Sequence, residues 1–496
     1  MRLIEHWLAG RSESGLSAGR RGPVWNPATG EQQAEVVLAS APEVDGVVDI
    51  ASSAFADWSC YPLSRRSEIM FRFRQLLFEE RDLLAAAITA EHGKTTSDAL
   101  GELARGLENV EFACGIPHLL KGEYSEQVSS GVDVYSIRQP LGVVAGITPF
   151  NFPAMVPLWM LSNAIACGNT VVLKPSEKDP SASIVIAQLL KRAGLPDGVF
   201  NVVHGDREAV DALLDSNQVS AVSFVGSTPV ARHVYERGTQ AGKRVQALGG
   251  AKNHMVVLPD ADIDLAADAA VSAAYGSAGE RCMAVSVVVA VGAVGDALVD
   301  AVSSRLVRIR VGPGAEPSSE VGPLISAEHR ERVASYLDAS VREGAYLVYD
   351  GRAHEVPSAG FFLGPCLVDR VQPGMSVYRD EVFGPVLCVV RVNTYEEALE
   401  LVNSNPYGNG TAIFTMDGGA ARRFQSECKV GMVGINVPIP VPVAGYSFGG
   451  WKASLFGDTH MYGPDGIRFY TRMKVVTSRW PAPSSSQVDL GFPLTR

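Results

Sequence analysis

The sequence predicts an α/β protein built around parallel β-sheets, and three features of the chain carry that prediction. Its 496 residues are too many for one small core, so we expect two or three domains. Short apolar segments alternate with stretches long enough for helices, which is typical of βαβ units in a sheet buried on both faces. These segments are residues 143–148, 170–174, 199–203 and 221–225. A second series of strand and helix signals follows residue 250.

The segments before the first sheet are predicted to be mainly helical. An amphipathic helix is expected over 64–91, because apolar residues recur on one helical face, and Gly93 is suited to end it. A further helix over 97–114 carries Arg105. The alternation of apolar and polar side chains over 131–138 then predicts a half-exposed strand.

The second series of signals predicts another α/β domain that extends to about residue 450. It includes a strand over 285–291 and a helix over 296–308. A last strand is expected over 467–477, and the proline- and serine-rich end of the chain is predicted to be flexible.

Charge and composition exclude several classes of protein. Hydrophobic residues make up 46% and charged residues 20% of the chain, and the net charge of -11 argues against a nucleic acid or an anionic membrane as the main partner. Residues 1–21 lack a signal-peptide pattern, and no apolar run of about 20 residues indicates a membrane span. The seven cysteines are scattered without CxxC pairing, so neither disulfides nor a metal site are indicated. We therefore predict a cytoplasmic protein without a metal.

A single cysteine stands out because small residues surround it. Residues 276–283 read Gly-Ser-Ala-Gly-Glu-Arg-Cys-Met. An attacking thiol needs a backbone that permits close approach, little steric bulk and surroundings that favour the thiolate. Gly276 and Gly279 supply the first two, and Arg281 is a candidate for the third. The alternative for Cys282 is a buried structural thiol, since free cysteine is among the most buried residue types.

Two further motifs favour a catalytic Cys282. The first motif, residues 146–153, reads Gly-Ile-Thr-Pro-Phe-Asn-Phe-Pro and places an amide side chain directly after an apolar strand. The second motif, residues 380–385, reads Asp-Glu-Val-Phe-Gly-Pro and places a carboxylate in a tight turn. Together with the cysteine stretch they resemble the aldehyde dehydrogenase superfamily. The resemblance covers nearly the whole chain, because further motifs follow in the family's order at 174–177, 224–228 and 249–250.

The resemblance implies the aldehyde dehydrogenase fold, with a Rossmann-like NAD-binding domain, an α/β catalytic domain and a small β oligomerisation arm. It also implies a homodimer or homotetramer, and the apolar arm strands favour partners as well. The expected NAD-binding domain comprises residues 1–121 and 142–248, and the expected catalytic domain comprises residues 249–450. The arm is expected over 122–141 and 451–480, and the flexible tail over 481–496.

The expected cofactor is NAD. Lys174 and Glu177 follow a strand at the carboxyl end of a sheet, where open α/β sheets bind ligands, and the resemblance assigns both to the adenosine ribose. A carboxylate there repels a 2′-phosphate, so NAD is favoured over NADP; a solvated surface ion pair is the alternative. Ser227 precedes a predicted helix whose N-terminus is suited to a pyrophosphate. The expected NAD-binding residues besides Lys174 and Glu177 are Phe150, Gly226, Ser227, Gly249, Gly250, Glu381 and Phe383.

Cys282 and Asn151 are the expected catalytic residues. Thiolate attack on an aldehyde gives an oxyanion, and hydride transfer to the nicotinamide then gives a thioester. The Asn151 amide and the Cys282 backbone N–H would stabilise the oxyanion; alternatively, Asn151 caps the helix that follows Pro153. Arg105 and Arg281 are expected to bind a substrate carboxylate, since each guanidinium suits two parallel hydrogen bonds, and a surface charge is the alternative for each.

The residue at position 247 decides the expected acyl acceptor. Hydrolytic members of the family carry a glutamate there that activates water, whereas this chain has Ala247 and no acid between Glu236 and Asp260. CoA is then the better acceptor, as in the CoA-acylating branch. The resemblance implies oxidative decarboxylation of methylmalonate semialdehyde to propionyl-CoA, or of malonate semialdehyde to acetyl-CoA.

Two alternatives stay open. The first is a hydrolytic NAD-dependent dehydrogenase of another small semialdehyde, such as succinate semialdehyde, which needs a substitute base; Glu280 is a candidate. The second is a catalytically silent relative used for binding or structure. Turnover without CoA would indicate the first, and the absence of any NAD reduction with small aldehydes would indicate the second.

Overall fold

The fold is that of a computed structural model, which describes residues 1–15, 19–480, 488 and 490. The flexible tail predicted over 481–496 lies outside the described residues, apart from 488 and 490. Among the helices of the described ranges, none has the length and apolar character needed to cross a membrane.

The strands of the described residues, in chain order, are β1 Arg2–Ile4, β2 His6–Leu8, β3 Arg11–Glu13, β4 Arg21–Asn26, β5 Glu31–Val37, β6 Tyr124–Ser129, β7 Val132–Pro140, β8 Val143–Ile147, β9 Thr170–Lys174, β10 Phe200–Val202, β11 Val219–Val225, β12 Arg244–Leu248, β13 Asn253–Val257, β14 Val285–Val291, β15 Tyr346–Tyr349, β16 Cys366–Asp369, β17 Val386–Val392, β18 Tyr407–Gly408, β19 Gly410–Phe414, β20 Met432–Ile435, β21 Trp451–Lys452, β22 Leu455–Phe456 and β23 Thr471–Arg479.

The α-helices of the same residues are α1 Ala41–Trp58, α2 Leu63–Glu79, α3 Arg81–His92, α4 Thr96–Cys114, α5 Ile116–Leu119, α6 Met155–Ala166, α7 Ser181–Arg192, α8 Arg207–Asp215, α9 Thr228–Gln240, α10 Ile263–Tyr275, α11 Gly295–Leu306, α12 Ala327–Arg342, α13 Ser376–Arg379, α14 Tyr395–Ser404, α15 Gly418–Glu427 and α16 Gly463–Phe469.

The first large sheet confirms the predicted βαβ organisation. Its strands follow the order β22-β12-β11-β8-β9-β10-β2-β3, and those from β12 to β10 run parallel. All residues of β8 and β9 are buried, as expected for strands with helices on both faces. Helix α6, which joins these two strands, is buried on every side. The carboxyl ends of the parallel strands therefore meet at one edge, where open sheets bind ligands.

The second large sheet confirms the other α/β unit. Its order is β15-β16-β17-β14-β13-β19-β20, and all its pairings are parallel except that of β15 with β16. Helices α10 and α11 pack on it around a continuous apolar core. Strand β14 covers the predicted range 285–291 and begins three residues after Cys282, so the cysteine stretch enters the sheet directly.

The third sheet is smaller and has the order β23-β7-β6. Strands β6 and β7 lie within the predicted arm segment 122–141, and β23 pairs with β7 along its whole length. The predicted start of the other arm segment at residue 451 is wrong. Strand β22 pairs with β12 in the first large sheet, and only the residues from Thr471 onward join the arm. A two-residue edge strand leaves no periodic signal in a sequence, because its pairing is set by the neighbouring sheet.

The helix predicted over 64–91 is two helices in the structure. Helices α2 and α3 meet at Glu80, whose φ of -97° and ψ of 13° leave the helical region. Apolar residues of both helices pack into one core, because the chain changes direction at Glu80. The apolar periodicity of the sequence does not reveal this break. Gly93 ends α3 with a φ of 92°, as predicted.

Candidate active site

Cys282 lies where two cavities meet. The larger cavity, of about 480 Å³, is lined by residues that follow β8, β11 and β12, together with residues of the turn 381–383. The smaller cavity, of about 290 Å³, lies between α4, α6 and the segment 439–448. Cys282 lines both cavities and is partly exposed. Its thiol is therefore open to two different ligands from two sides.

The backbone before Cys282 follows an unusual left-handed path. Ser277, Ala278 and Gly279 have φ angles of 52°, 51° and 75°, a region that costs free energy for residues with a side chain. A Cβ on Gly279 would lie 2.2 Å from the Gly384 carbonyl oxygen. Glycine at this position therefore allows the cysteine loop to pack against the turn 380–385, which brings two of the predicted motifs together.

Arg281 pairs with an acid of α4. Its Nη2 donates to Asp98 Oδ1 at 2.5 Å, and a Cβ on Gly276 would lie 2.5 Å from Arg281 Nη1, so the glycine makes room for the guanidinium. Burial raises the pKa of the Cys282 thiol to about 12, the Glu381 charge adds to the rise, and Arg281 has the smallest opposing effect. Arg281 therefore favours the thiolate, as expected, but its effect on the pKa of Cys282 is small beside that of burial.

This raised pKa predicts that alkylation of Cys282 accelerates steeply with pH. The thiolate is the reacting species, and its fraction rises tenfold for each pH unit below the pKa. In the protein without cofactor, the rate constant for iodoacetamide at Cys282 should rise about tenfold from pH 7 to 8 and again from 8 to 9. Peptide mass spectrometry separates this thiol from the exposed Cys60. A rate that levels off below pH 8 would contradict the burial effect.

Asn151 does not cap the helix that follows it. The N–H groups of Ala154 and Met155 at the start of α6 donate to Glu102 Oε1 at 2.8 and 3.0 Å, so the structural alternative for Asn151 is wrong. Its side-chain amide makes no hydrogen bond within the described part of the chain, whereas its backbone oxygen accepts one from Lys94 Nζ at 2.7 Å. Asn151 lines the larger cavity beside Cys282, where an oxyanion donor is needed.

Most of the expected NAD-binding residues gather around the larger cavity. Lys174 and Glu177 do not line it. Lys174 is buried at the end of β9, where its Nζ contacts the Gly205 carbonyl at 3.0 Å and Glu177 Oε2 at 3.3 Å. They lie at the predicted edge of the sheet, and Lys174 is buried, unlike a residue of the solvated surface pair that was the alternative; their binding to the adenosine ribose stays a prediction. The other expected NAD-binding residues all line the larger cavity: Phe150, Gly226, Ser227, Gly249, Gly250, Glu381 and Phe383.

Glu381 is held beside the double glycine. Its Oε1 accepts from the Ala251 N–H at 3.0 Å, and a Cβ on Gly250 would lie 2.2 Å from its Oε2. The Gly250 N–H donates to Thr228 Oγ1 at 2.9 Å, which ties the glycine to the start of α9. Burial raises the pKa of Glu381 to about 7. Gly250 therefore makes room for the Glu381 carboxylate.

Sequence reasoning missed a basic group on the same cavity. Lys178, His329 and Arg332 all line it. His329 Nε2 donates to the Phe383 carbonyl at 2.7 Å and its Nδ1 accepts from Arg332 at 3.1 Å, and burial lowers its pKa to about 4, so the imidazole is neutral. Lys178 directly follows the motif at 174–177, so its place beside the cofactor site could have been predicted from that motif. His329 and Arg332 of α12 belong to no motif.

Neither position 247 nor Glu280 supplies the general base that hydrolytic members of the family use. Ala247 is fully buried within β12 and lines neither cavity. Glu280 is also fully buried, accepts from the Ile325 N–H at 3.2 Å and lies 3.5 Å from His329 Nε2, and it too lines neither cavity. Burial raises the pKa of Glu280 to about 8. Glu280 is therefore not placed to activate a water at Cys282.

The smaller cavity brings the two predicted arginines together. Arg105 and Arg281 both line it. Arg105 contacts both oxygens of Glu108 at 3.0 Å and donates to the carbonyls of Val441 and Pro442 at 3.0 and 3.1 Å. The rest of the wall is largely apolar and was not predicted from the sequence, because its members come from distant segments: Phe152, Met155, Trp159, Met283, Ile439, Val441 and Phe448.

The fold and this site define a class of protein. A sequence profile described as the aldehyde dehydrogenase family matches residues 16–476, and the chain belongs to that family. It is 55% identical to a malonate-semialdehyde dehydrogenase of Pseudomonas aeruginosa, over 99% of this chain and 100% of that protein. The crystal structure of a methylmalonate-semialdehyde dehydrogenase from Oceanimonas doudoroffii matches with a TM-score of 0.96 and 54% identity, over 98% and 99% of the two chains. A Sinorhizobium meliloti protein solved in complex with NAD matches with a TM-score of 0.96 and 50% identity, over the same shares.

Proposed function

We propose that this protein oxidises malonate semialdehyde and methylmalonate semialdehyde with NAD, transfers the acyl group to CoA and releases carbon dioxide. The observation that carries the proposal is the placing of Cys282 between two cavities, without a water-activating carboxylate from either expected position. Position 247 is an alanine, and Glu280 is buried and lines neither cavity. The names of the similar dehydrogenases from Pseudomonas aeruginosa and Oceanimonas doudoroffii support the two substrates.

The residues around the larger cavity fit NAD. Helix α9 begins at Thr228, directly after Gly226 and Ser227, which line this cavity, and the N-terminus of a helix suits a pyrophosphate. Glu381 would accept from the nicotinamide ribose, and Lys174 with Glu177 would bind the adenosine ribose. NAD supplies the hydride acceptor when it is bound, and the similar Sinorhizobium meliloti protein was solved with it.

The smaller cavity suits a short aldehyde that carries a carboxylate. Each guanidinium has five N–H donors. Arg105 uses four of them on Glu108, Val441 and Pro442, whereas Arg281 uses one on Asp98, so the donors left for a substrate are mainly those of Arg281. With the carboxylate between these arginines, the aldehyde carbon reaches Cys282. Sulfur adds to the carbonyl, and the Asn151 amide and the Cys282 N–H donate to the oxygen that becomes negative. Loss of hydride then leaves a thioester on Cys282.

The same donors assist the loss of carbon dioxide. The thioester formed from a malonate-type semialdehyde carries its carboxylate on the adjacent carbon. Cleavage of the bond to the carboxylate leaves an electron pair that is delocalised onto the thioester oxygen, where Asn151 donates, and a proton then adds to the carbon. Thiol exchange with CoA releases the acyl group and restores Cys282.

Hydrolysis is the second candidate function, and one observation favours it. Glu381 lines the larger cavity with Cys282, and burial raises its pKa to about 7, which is suitable for a general base near neutral pH. A water activated by Glu381 would release the free acid in place of a CoA ester.

We further infer a homodimer or homotetramer in the cytoplasm. Strand β23 is an edge strand of the arm, and Met473 and Val475 are each 59% exposed along it. An exposed apolar edge favours pairing with another chain.

The acceptor is tested by measuring NADH formation from methylmalonate semialdehyde and malonate semialdehyde with and without CoA. We expect steady turnover only with CoA, with propionyl-CoA and acetyl-CoA identified by mass, and a single equivalent of NADH per site without CoA. The Ala247→Glu variant is the matched control for a carboxylate at this position. Equal turnover without CoA, with release of a free acid, would contradict the CoA-acylating proposal and favour hydrolysis through Glu381.

A further inference from the structure

A fully buried ion pair lies next to Asn151 and outside the catalytic residues named above. Lys94, between α3 and α4, and Glu102, on α4, are joined at 2.8 Å, and neither side chain has any exposed surface. A buried ion pair is weak evidence for stability, because the loss of hydration offsets much of the attraction. Its contacts therefore suggest a role beyond holding the fold together.

The polar atoms of this pair bind each other and one short segment. Lys94 Nζ donates to the Asn151 carbonyl at 2.7 Å and lies 4.4 Å from the centre of the Phe152 ring. Glu102 Oε1 accepts from the N–H groups of Ala154 and Met155. Residues 151–155 are thus held at both ends by charged groups, whose hydrogen bonds are shorter and stronger than neutral ones.

The position of Lys94 is fixed by the surrounding backbone as well. The Thr96 N–H donates to the Gly314 carbonyl at 3.0 Å, and a Cβ on Gly314 would lie 2.2 Å from the Lys94 carbonyl oxygen. Thr95 caps α4 through the Asp98 N–H. The main chain from Lys94 to Asp98 is therefore anchored, which limits the movement of Lys94 and helps it to hold Asn151 in place.

From these contacts we infer that Lys94 and Glu102 are positioning residues that orient the Asn151 amide toward the oxyanion. The pair binds the backbone of residues 151–155, while the Asn151 side chain has no hydrogen-bond partner in the described structure and lines the larger cavity together with Cys282. An oxyanion donor is effective only when its direction is set before the reaction. The ion pair supplies that direction, and this inference rests on the proposed oxidation of an aldehyde.

A double-mutant cycle with Asn151 tests the inference. The measured quantity is the rate of the first NADH equivalent formed without CoA, which reports on the steps up to the thioester. We expect Lys94→Met to lower this rate about tenfold to a hundredfold when Asn151 is present. In the Asn151→Ala background the same change should lower it less than twofold, because the amide that Lys94 orients is gone.

A second variant addresses the cost of an unpaired buried charge. Lys94→Met combined with Glu102→Gln removes both charges and keeps a carbonyl oxygen for the N–H groups of Ala154 and Met155, so it avoids the charge left by a single change. We expect the same loss of rate, and the same dependence on Asn151, with a thermal midpoint closer to that of the parent.

Lys243→Met is the matched control. Lys243 is also buried and donates to backbone carbonyls, those of Ser216 and Val219, but it lines neither cavity. This change should lower the thermal midpoint without changing the NADH rate. Equal fold losses for Lys94→Met with and without Asn151 would overturn the positioning role and leave the proposed function intact. A parent protein that reduces no NAD with either semialdehyde would overturn both proposals.

Discussion

Replacing Cys282 by serine is expected to lower the rate of NAD reduction by about 10⁴-fold or more. A hydroxyl is a much weaker nucleophile than a thiolate, so serine at this position should add to an aldehyde far more slowly. The change keeps the size of the side chain, so the φ angles of the preceding loop are not disturbed.

The measurement is the first NADH equivalent per site, together with NAD affinity and the thermal midpoint, which should both remain close to those of the parent. Cys60→Ser is the matched control, because Cys60 is an exposed thiol that lines neither cavity. A Cys282→Ser protein that keeps more than about one per cent of the parent rate would contradict covalent catalysis at this residue.

Replacing Asn151 by alanine has the second largest expected effect. Loss of one oxyanion donor typically lowers the rate by about 10²- to 10³-fold, or about 2.7 to 4 kcal/mol of barrier. The fold should tolerate this change, because the start of α6 is bound by Glu102 and the Asn151 contact with Lys94 is made by the backbone.

The Asn151→Ala variant is compared with Asn217→Ala, which replaces an exposed asparagine in the turn before β11. We expect the control to match the parent in every measurement, and Asn151→Ala to lose rate while it retains NAD affinity and thermal midpoint. If the thermal midpoint of Asn151→Ala falls together with its rate, the residue stabilises the fold rather than the oxyanion.

Local sequence was sufficient for the parallel strands and for most of the site. Strands β8, β9 and β14 are mainly apolar, because helices cover both faces of each sheet, and such runs stand out in a sequence. Asn151 lies in a short motif after the carboxyl end of β8, where open sheets bind ligands. Cys282 and Glu381 lie in motifs that precede β14 and β17 of the other large sheet, so their meeting with Asn151 at one cavity depends on how the two sheets pack.

The electrostatic state of the site did not follow from neighbouring residues. Arg281 stands next to Cys282 in the sequence, yet Asp98 of α4 binds its guanidinium, and burial raises the pKa of the thiol to about 12. Glu280 is two residues from Cys282 but lies in the interior beside Ile325. Adjacent side chains point in different directions in a tight left-handed loop, so distance along the chain says little about contact.

What the sequence by itself determined about this protein is the pair of parallel sheets and the motifs that carry the thiol, the amide and the carboxylates, because periodicity and turn chemistry are local properties. Only the tertiary structure decided the partners of those groups: the ion pair of Lys94 and Glu102 under Asn151, the basic residues of α12 on the larger cavity, and the late start of the arm at Thr471. Each of these depends on which distant surfaces come into contact when the core packs, and packing is a property of the whole chain.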